Sequence, residues 1–508
     1  MNWFDSWALT LAVFLPIAGM LVVLAVPRAE EQLAKVVTLV TTGVTFGVTV
    51  AIAIGFDYDA TGKLQYVVDK RWIDVISTRY NVGLDGISLP LLLLSSFLTL
   101  LCVIYSWNHF PEPHNPKAFL ALIMLLEVGL NGTFVAQDLI LFFIFFELVL
   151  LPMFFMIGVW GGPNREYAAI KFFLFTMFGS AFMLLGFLAL FWQLGTFQIP
   201  ELAAMGGGGL VRSTQNLIFA GMFLGFAIKV PMFPFHTWLP DAHTEAPTVG
   251  SVLLAAVMLK LGTYGFVRIA LPVLPEAAED WAPWIGLLAV IGIIYGALCC
   301  LAQRDLKRLI AFSSVAHMGF VMLGIATLTD FGINAAVFGM VAHGLITGML
   351  FFVAGSIQYR FETREMSRLG GLLTLTPKMG WILAFCAMAS LGLPGLAGFW
   401  GEFPAILSAY EPASSLSEAT FRTYMVVAAV GTVLAAGYLL WMLQKVTFGQ
   451  VANEWNGRHF HDVHREEWVA WTPLLVLIAV LGVYPQLLFR VTDGAVTNIV
   501  SGITRVIG

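Results

Sequence analysis

Residues 225–241 read GFAIKVPMFPFHTWLPD, and residues 389–404 read ASLGLPGLAGFWGEFP. Each stretch places a proline, Pro231 or Pro394, inside an apolar run that is otherwise typical of a helix, and each then enters an aromatic patch. Proline removes a backbone donor and clashes with the preceding turn, so both helices are predicted to break or kink. Broken helices at corresponding positions of two halves indicate an inverted-repeat transporter with a site near the middle of the membrane.

The composition of the whole chain is that of a membrane protein. Of its 508 residues, 59% are hydrophobic and 11% are charged, and the mean hydropathy is +0.86. Soluble domains are usually about one quarter charged. Apolar runs of about 20 residues can cross a bilayer core of roughly 30 Å, and their uninterrupted character favours helices over a β-barrel. The predicted fold is therefore an all-α polytopic membrane protein with about fourteen transmembrane helices.

The hydropathy pattern places the spans between short links, apart from a polar connection at 56–80 and a loop at 447–467. The chain begins Met1-Asn2-Trp3-Phe4-Asp5, without a basic n-region or a small-residue cleavage pattern, so the first apolar stretch is predicted to be retained. The spans are predicted near residues 8–26, 33–55, 84–107, 117–135, 138–160, 167–194, 215–238, 244–270, 283–302, 308–328, 332–358, 378–410, 421–446 and 468–489.

Weak internal similarity divides the chain further. The segment Lys171-Phe-Phe-Leu-Phe-Thr, in a span that precedes the first break, resembles Arg308-Leu-Ile-Ala-Phe-Ser, in a span that precedes the second. With the paired proline breaks, this similarity predicts two repeats. The predicted units are N-terminal helices at 1–116, a first repeat at 117–270, a second inverted repeat at 283–446, and a C-terminal loop and last helix at 447–508.

The distribution of Lys and Arg predicts the orientation. The loops that follow odd-numbered spans hold fourteen of these residues, and the opposite side holds eight, half of them in the connection 56–80. Cytoplasmic loops carry the excess of positive charge. Both termini are therefore predicted on the non-cytoplasmic side of a bacterial plasma membrane.

Six ionisable residues lie deep inside apolar spans, where charge is costly and usually functional. In chain order they are Glu147, Lys229, Lys260, His317, His343 and Glu402. Lys229 immediately precedes the first break, and Glu402 follows the second.

This set has the chemistry of a proton relay. Burial of a lysine favours its neutral form, and a nearby carboxylate favours the charged form again. Movement of Glu147 towards or away from Lys229 would then switch the lysine between holding and releasing a proton. Histidine titrates near neutral pH and can pass protons through either ring nitrogen. Helix breaks expose backbone groups to water, which can complete a path between fixed side chains.

Structural alternatives exist for each residue. Glu147 and Lys229 could form a static ion pair, Lys260 could extend to the membrane surface, and the two histidines could simply bond carbonyl groups. Lys171 could be an anchor at the interface, and Glu127 could join the carboxylates or bond locally. The loop histidines His459, His461 and His464 could be solvated or bind a metal ion.

Other sites have little support in the sequence. The four cysteines lie in apolar stretches without a CxxC pair, so no metal or iron–sulfur site is predicted. No GxGxxG or Walker motif is present, so no cofactor is predicted in this chain. The absence of a Lys/Arg-rich tract gives no indication of nucleic-acid binding.

The stretch 229–265, KVPMFPFHTWLPDAHTEAPTVGSVLLAAVMLKLGTYG, strongly resembles the signature of the antiporter-like subunits of proton-pumping NADH:quinone oxidoreductase. LFFIFFELVLLPMF around Glu147 is similar to the fifth helix of that family. The resemblance implies two inverted five-helix repeats flanked by extra helices. It also implies a modulating pair Glu147–Lys229, a central relay at Lys260, a path through the two histidines and a terminal site at Glu402.

Glu402, in the stretch GLPGLAGFWGEF, distinguishes between the types of antiporter-like subunit that the chain resembles. Glutamate at this position, Glu402, is typical of the M type (chain 13, mitochondrial subunit 4), whereas the L and N types have lysine. The resemblance implies L- and N-type and small membrane subunits as partners, with lipid, water and protons as surroundings, and redox chemistry in other subunits.

The sequence leaves three other functions open. Related chains occur in multisubunit cation/proton antiporters and membrane-bound hydrogenases. A membrane cytochrome could use His317 and His343 as haem ligands, and a non-conducting scaffold would need none of the relay residues.

Overall fold

The computed structural model describes residues 3–507, and helices dominate this part of the chain. The helices of the first half are α1 Trp3–Ala25, α2 Glu31–Gly55, α3 Ser88–Tyr105, α4 Pro116–Val135, α5 Leu139–Leu148, α6 Leu150–Trp160, α7 Arg165–Leu194, α8 Ile199–Met205, α9 Arg212–Lys229 and α10 Trp238–Glu245. The central span 248–273 contains α11 Thr248–Leu253, α12 Leu259–Gly265 and α13 Leu271–Val273, joined by π turns at Leu254–Met258 and Phe266–Ala270.

The second half continues with the same architecture. Its helices are α14 Pro275–Leu301, α15 Leu306–Ala326, α16 Asp330–Phe361, α17 Leu372–Leu375, α18 Pro377–Ser390, α19 Ala397–Ser408, α20 Glu418–Val446, α21 Arg465–Val483 and α22 Gln486–Ile507. Short 3₁₀ turns lie at Asp74–Ile76, Phe235–Thr237, Met366–Arg368 and Asn453–Trp455.

Within residues 3–507, twelve helical spans are long and apolar enough to cross a membrane. The interrupted segments 212–245 and 377–408 are two further helical pairs. This architecture confirms the predicted polytopic helical fold and is compatible with about fourteen crossings.

A β-hairpin lies in the connection that the sequence indicated only as polar. Strand β1, Gln65–Ile73, pairs antiparallel with β2, Thr78–Leu84. Arg79 donates across the two strands to both carboxylate oxygens of Asp69, from Nε at 2.6 Å and from Nη2 at 2.8 Å. The hairpin therefore forms a small cap of strand structure on an otherwise helical bundle.

The first predicted break is present. Helix α9 ends at Lys229, and regular α-helix resumes only at Trp238. The indole nitrogen of Trp238 donates to the carbonyl of Ile228 at 2.9 Å, across the break. This bond uses one carbonyl that the ended helix leaves free, which is why the irregular segment can be buried.

The second predicted break is also present, and it is stabilised by different contacts from the first. Helix α18 ends at Ser390 and α19 begins at Ala397, and between them Gly392 and Gly395 have φ of 79° and 93°. Such positive φ values favour glycine, since a side chain would be strained there. The indole of Trp400 donates at 2.7 Å to the carbonyl of Gly482 in α21.

Three spans form the centre of the bundle. The apolar windows of the span 248–273, of α15 and of α16 are completely buried, whereas fewer than half of the residues in those of α1, α2 and α7 are buried. Lys260 lies in the central span between its two π turns. π turns in long helices are often found at functional sites.

Candidate functional site

The bond between Lys260 and His343 lies at the centre of the molecule. The Nζ of Lys260 is 2.7 Å from the Nδ1 of His343, and it also donates to the carbonyl of Ala255 at 2.7 Å. Ala255 belongs to the π turn that precedes α12, so its carbonyl is available to the lysine. Lys260 is fully buried, and the Nε2 of His343 has no hydrogen-bond partner. The Nε2 of His343 is therefore free to bond a further group, such as a water molecule.

His317 and Glu402 form a second bonded pair. The Nδ1 of His317 lies 2.5 Å from Oε1 of Glu402. The other ring nitrogen of His317 is 3.1 Å from the Ser390 hydroxyl and 3.0 Å from the Tyr438 hydroxyl. Helices α15, α18, α19 and α20 thus meet at this histidine, beside the second break.

A small cavity separates the two pairs. The rings of His317 and His343 are 6.2 Å apart between centroids. Both histidines and Glu402 line a cavity of about 20 Å³, which is sufficient for a single water molecule. The unpartnered Oε2 of Glu402 and Nε2 of His343 are polar groups that such a water could bond. Four of the six sequence-selected residues therefore form one nearly continuous polar chain.

Glu147 and Lys229 are neighbours but are not bonded to one another. Lys229 is 1% exposed, and its Nζ has no hydrogen-bond partner. The nitrogen instead lies 4.6 Å from the ring centre of Phe146, a favourable cation–π position. One oxygen of Glu147 is also unpartnered. The two charges act on each other electrostatically through space, so the predicted alternative of a closed static ion pair is absent here.

No hydrogen bond joins Lys229 to Lys260 within residues 3–507. Their helices pack closely, since a Cβ on Gly262 would lie 2.7 Å from the carbonyl oxygen of Phe226. Phe226 also packs its ring against Phe146, with centroids 6.2 Å apart. Aromatic side chains therefore occupy the space between the first pair and the central lysine.

Sequence reasoning missed two buried ionisable groups outside the two central pairs. Lys307 is one of the fourteen Lys and Arg residues assigned to the loops that follow odd-numbered spans, yet it is 2% exposed and its Nζ donates to the Ala246 carbonyl. His243 is fully buried, its two ring nitrogens have no partner, and it stacks on Phe351 at 4.6 Å. The only signal for them was their position at the ends of apolar runs, which is also typical of interfacial residues.

Lys307 lines a cavity of about 310 Å³ at the end of the bundle that carries the arginine-rich loops. Glu245 and Arg364 line the same cavity. Arg364 bonds Asp305 at 3.0 Å and also donates to the Thr244 carbonyl. This end of α10 is thus capped by two cations, which suits the negative end of a helix dipole.

The remaining sequence candidates have diverse surroundings. Lys171 pairs with Asp241 at 2.7 Å, and Arg308 approaches the same carboxylate at 3.4 Å. Glu127 is fully buried, and both its oxygens are unpartnered. The rings of His461 and His464 stack at 4.1 Å, and no group of three or more metal-ligating side chains occurs in the described part of the chain.

A haem does not fit the two central histidines. Both ring nitrogens of His317 are already bonded to protein groups, and Nδ1 of His343 is bonded to Lys260. The cavity of about 20 Å³ between them has no room for a macrocycle. The residues present do not support the cytochrome alternative.

Two family models match the chain. Residues 136–427 match the model described as NADH:quinone oxidoreductase/Mrp antiporter, TM. Residues 11–133 match the amino terminus of NADH-ubiquinone oxidoreductase chain 4.

Several full-length relatives are similar to the chain. NADH-quinone oxidoreductase subunit M of Rhodobacter capsulatus is 39% identical over 97% of this chain and 96% of its own length. The protein of the same name from Rickettsia prowazekii is 38% identical over 97% of this chain and 98% of its own. NADH-ubiquinone oxidoreductase chain 4 of Marchantia polymorpha is 38% identical, with 96% of each chain covered.

Solved structures show the same fold. A chain of respiratory complex I from Thermus thermophilus with bound NADH superposes with a TM-score of 0.85 at 29% identity, covering 98% of this chain and all of that one. A chain of the Mrp complex from Dietzia has the same TM-score at 20% identity, covering 100% of both chains, which shows the fold alone.

Proposed function

This chain belongs to the subunit M (chain 4) family of NADH:quinone oxidoreductases. We propose that its proton path runs through Lys260, His343, His317 and Glu402. The protein is an antiporter-like, proton-translocating membrane subunit of respiratory complex I. The observation that carries the path is the pair of hydrogen bonds, Lys260–His343 and His317–Glu402, on either side of one water-sized cavity.

Proton movement along this path needs only small rearrangements. Lys260 can give a proton to Nδ1 of His343 over the 2.7 Å that separates them. The open Nε2 of His343 faces the cavity, where a water can pass the proton to the second pair. Glu402 then receives it from His317 and holds it on a carboxylate whose other oxygen is unpartnered. Histidine suits this task because its two nitrogens can be protonated alternately.

Uptake would begin at the cavity of about 310 Å³ beside Lys307. Lys307 and Lys260 both act electrostatically on the buried ring of His243. That ring has two unpartnered nitrogens, so it can accept a proton on either side. We therefore place Lys307 and His243 between the cavity and Lys260.

Glu147 and Lys229 would control the path rather than extend it. Their charges act on one another without contact, and the Phe146 ring covers the lysine nitrogen. A movement that closed the pair would hold a proton on Lys229, and opening it would favour release. The positive charge on Lys229 would in turn repel a proton from Lys260.

The orientation and the partners belong to the same proposal. The arginine-rich loops would face the cytoplasm, with both termini on the other side of a bacterial plasma membrane. Glu147 and Glu402, the first and last of the six relay residues, are both partly exposed. Neighbouring subunits of L and N type and small membrane subunits would pack at these two residues. The segments 117–270 and 283–446 would be the two inverted repeats, which the two helix breaks support. No cofactor is assigned to this chain, and NADH oxidation and quinone reduction would occur in other subunits.

The test uses the assembled complex in vesicles. Glu147→Ala and Lys229→Ala are each expected to lower the number of protons pumped per electron transferred to quinone. Wild-type stoichiometry in either variant would show that the substituted residue does not control the path. Glu454→Gln is the matched control, since Glu454 is an exposed carboxylate paired with Arg368.

A further inference from the structure

Glu127 is a buried carboxyl group that the path through Lys260 does not use. It lies near the middle of α4 with an exposed fraction of 0%, and both of its oxygens lack a hydrogen-bond partner. An ionised carboxylate in such a place would be strongly destabilising, because nothing replaces its hydration. The group is therefore expected to carry a proton at rest.

Glu127 faces away from the helix that carries Glu147. A Cβ on Gly129 or Gly132 of α4 would meet Val149 or Phe145 at 2.7 Å or less, so that face of α4 lies against α5 and the start of α6. Glu127 lies on the opposite face, since two residues along a helix turn the side chain by about 200°. It shares its face with Asn131, whose amide donates to the carbonyl of Ala12 in α1 at 2.9 Å.

The same face of α4 also packs on α2. Met124, one turn before Glu127, is in a buried cluster with Ala34 of α2 and Val23 and Val26 at the end of α1. Helices α2 and α4 both begin at the arginine-rich end of the bundle. Glu127 is one turn beyond Met124 on α4, and Thr38 is one turn beyond Ala34 on α2. The two residues are therefore expected at the same depth in the bundle.

Thr38 begins a row of buried hydroxyl groups, defined here as the hydroxyl strip. Its members on α2 are spaced by three or four residues, so they occupy one helix face. Their opposite face is apolar and exposed, as at Val36, Val40 and Val44. The strip consists of Thr38, Thr42, Thr45 and Thr49 on α2 and Ser95, Ser96 and Thr99 on α3, all with an exposed fraction of 0%.

The hydroxyl strip is connected between α2 and α3, and one of its ends lies one turn from a cavity. Thr49 and Ser96 are bonded at 2.8 Å between their hydroxyl groups. At the other end, Thr38 bonds the carbonyl of Ala34 at 2.9 Å. Ala34 and Glu31 line a cavity of about 570 Å³ that opens at the start of α2. Small polar side chains can simply allow close helix packing, but packing gives no account of a buried carboxyl group without a partner on the face of α4 that packs on the same helix.

We propose that Glu127 is a proton-binding site on a second hydrophilic path, which leads from the cavity at the start of α2 along the hydroxyl strip. Its ligand is a proton delivered by water. The site does not depend on the path through Lys260, because Glu127 faces α1 and α2 while the relay residues lie in the span 248–273, α15, α16 and α19.

Infrared spectroscopy of the assembled complex tests the protonation directly. Glu127→Gln is expected to remove one carbonyl band of a protonated carboxyl, Glu127→Asp to shift that band, and the control Glu454→Gln to leave it in place. If Glu127→Gln does not assemble, the shift in Glu127→Asp identifies the band. Persistence of all protonated-carboxyl bands in both Glu127 variants would overturn the proposal.

Exchange into D₂O tests the access route. The Glu127 band of the wild-type complex is expected to shift soon after transfer. Thr38→Val is expected to delay that shift, and Thr49→Val, beyond the level of Glu127 on α2, is the control that leaves it unchanged. Valine keeps the shape of threonine and removes only the hydroxyl group. A band that does not exchange in the wild-type complex, or one that exchanges as fast in Thr38→Val as in the wild-type complex, would exclude the hydroxyl strip as the path.

Discussion

The side-chain nitrogen of Lys260 and the Nδ1 of His343 lie 2.7 Å apart on two completely buried spans, with no carboxylate bonded to either group. Two basic groups at this distance cannot both be protonated without strong repulsion. The pair therefore shares one proton, and its position depends on which neighbouring charge is present. This is the arrangement that a relay between two fixed helices needs.

Loss of the shared proton site should stop coupled turnover. Lys260→Ala is expected to slow proton transfer by roughly 100-fold, the usual order of a general acid–base contribution. His343→Gln should have a smaller effect, because an amide can still bond Lys260 and orient a water. The measurement is the initial rate of proton uptake into vesicles during NADH oxidation. Equal rates in Lys260→Ala and the wild-type complex would remove Lys260 from the path.

Lys307 should control uptake from the cavity of about 310 Å³. Lys307→Met keeps the length of the side chain and removes its charge and donor, so proton uptake should slow while assembly is retained. The variant should also respond less steeply to the pH on the arginine-rich side, because it has lost a titratable group. Lys445→Met is the control, since Lys445 is exposed on the same side. Matching pH profiles for the two variants would show that Lys307 only caps α10.

The contact between the helices of the two lysines should tolerate no added atom. Gly262→Ala would place a Cβ 2.7 Å from the Phe226 carbonyl oxygen and 3.0 Å from the Val230 backbone nitrogen. Overpacking of this kind costs about 1–3 kcal/mol, so the thermal midpoint of the purified complex should fall. Gly43→Ala meets nothing within 4 Å and should be neutral or stabilising by about 0.5–1 kcal/mol. A fall of the same size in both variants would contradict the packing argument.

The ion pair between Arg360 and Glu467 should contribute to the stability of the last helices. Its distance is 2.6 Å, and the two side chains are 5% and 0% exposed. Removing one partner of a buried pair typically costs about 3–5 kcal/mol, so Glu467→Gln should lower the thermal midpoint clearly.

The control for that variant is the exposed pair of Arg368 and Glu454. A hydrogen bond from Arg368 lowers the pKa of Glu454, yet solvent screens such a pair strongly. Glu454→Gln should therefore leave the thermal midpoint nearly unchanged. A comparable loss in the two variants would mean that burial does not distinguish them.

The sequence was sufficient for the features that local chemistry decides. Proline inside an apolar run predicted both breaks, and charge inside apolar spans selected the six relay residues. The hairpin was missed because its strands lie in a polar connection with several charges, where no long apolar alternation marks them. Lys307 and His243 were missed because each contacts a residue distant in the sequence, the Ala246 carbonyl for the nitrogen of Lys307 and Phe351 for the ring of His243. The ring of Phe146 beside Lys229 depends on how α5 packs against α9, which no short pattern records.

The two tryptophans at the breaks differ in where their partners come from. Trp238 bonds Ile228, ten residues earlier in the same segment, whereas Trp400 bonds Gly482, which is synthesised much later. A nascent chain inserting from its N-terminus can therefore complete the first break as soon as that segment is in the bilayer. The second break must wait for the penultimate helix, so Glu402 is the last of the relay residues to reach its final surroundings during biogenesis.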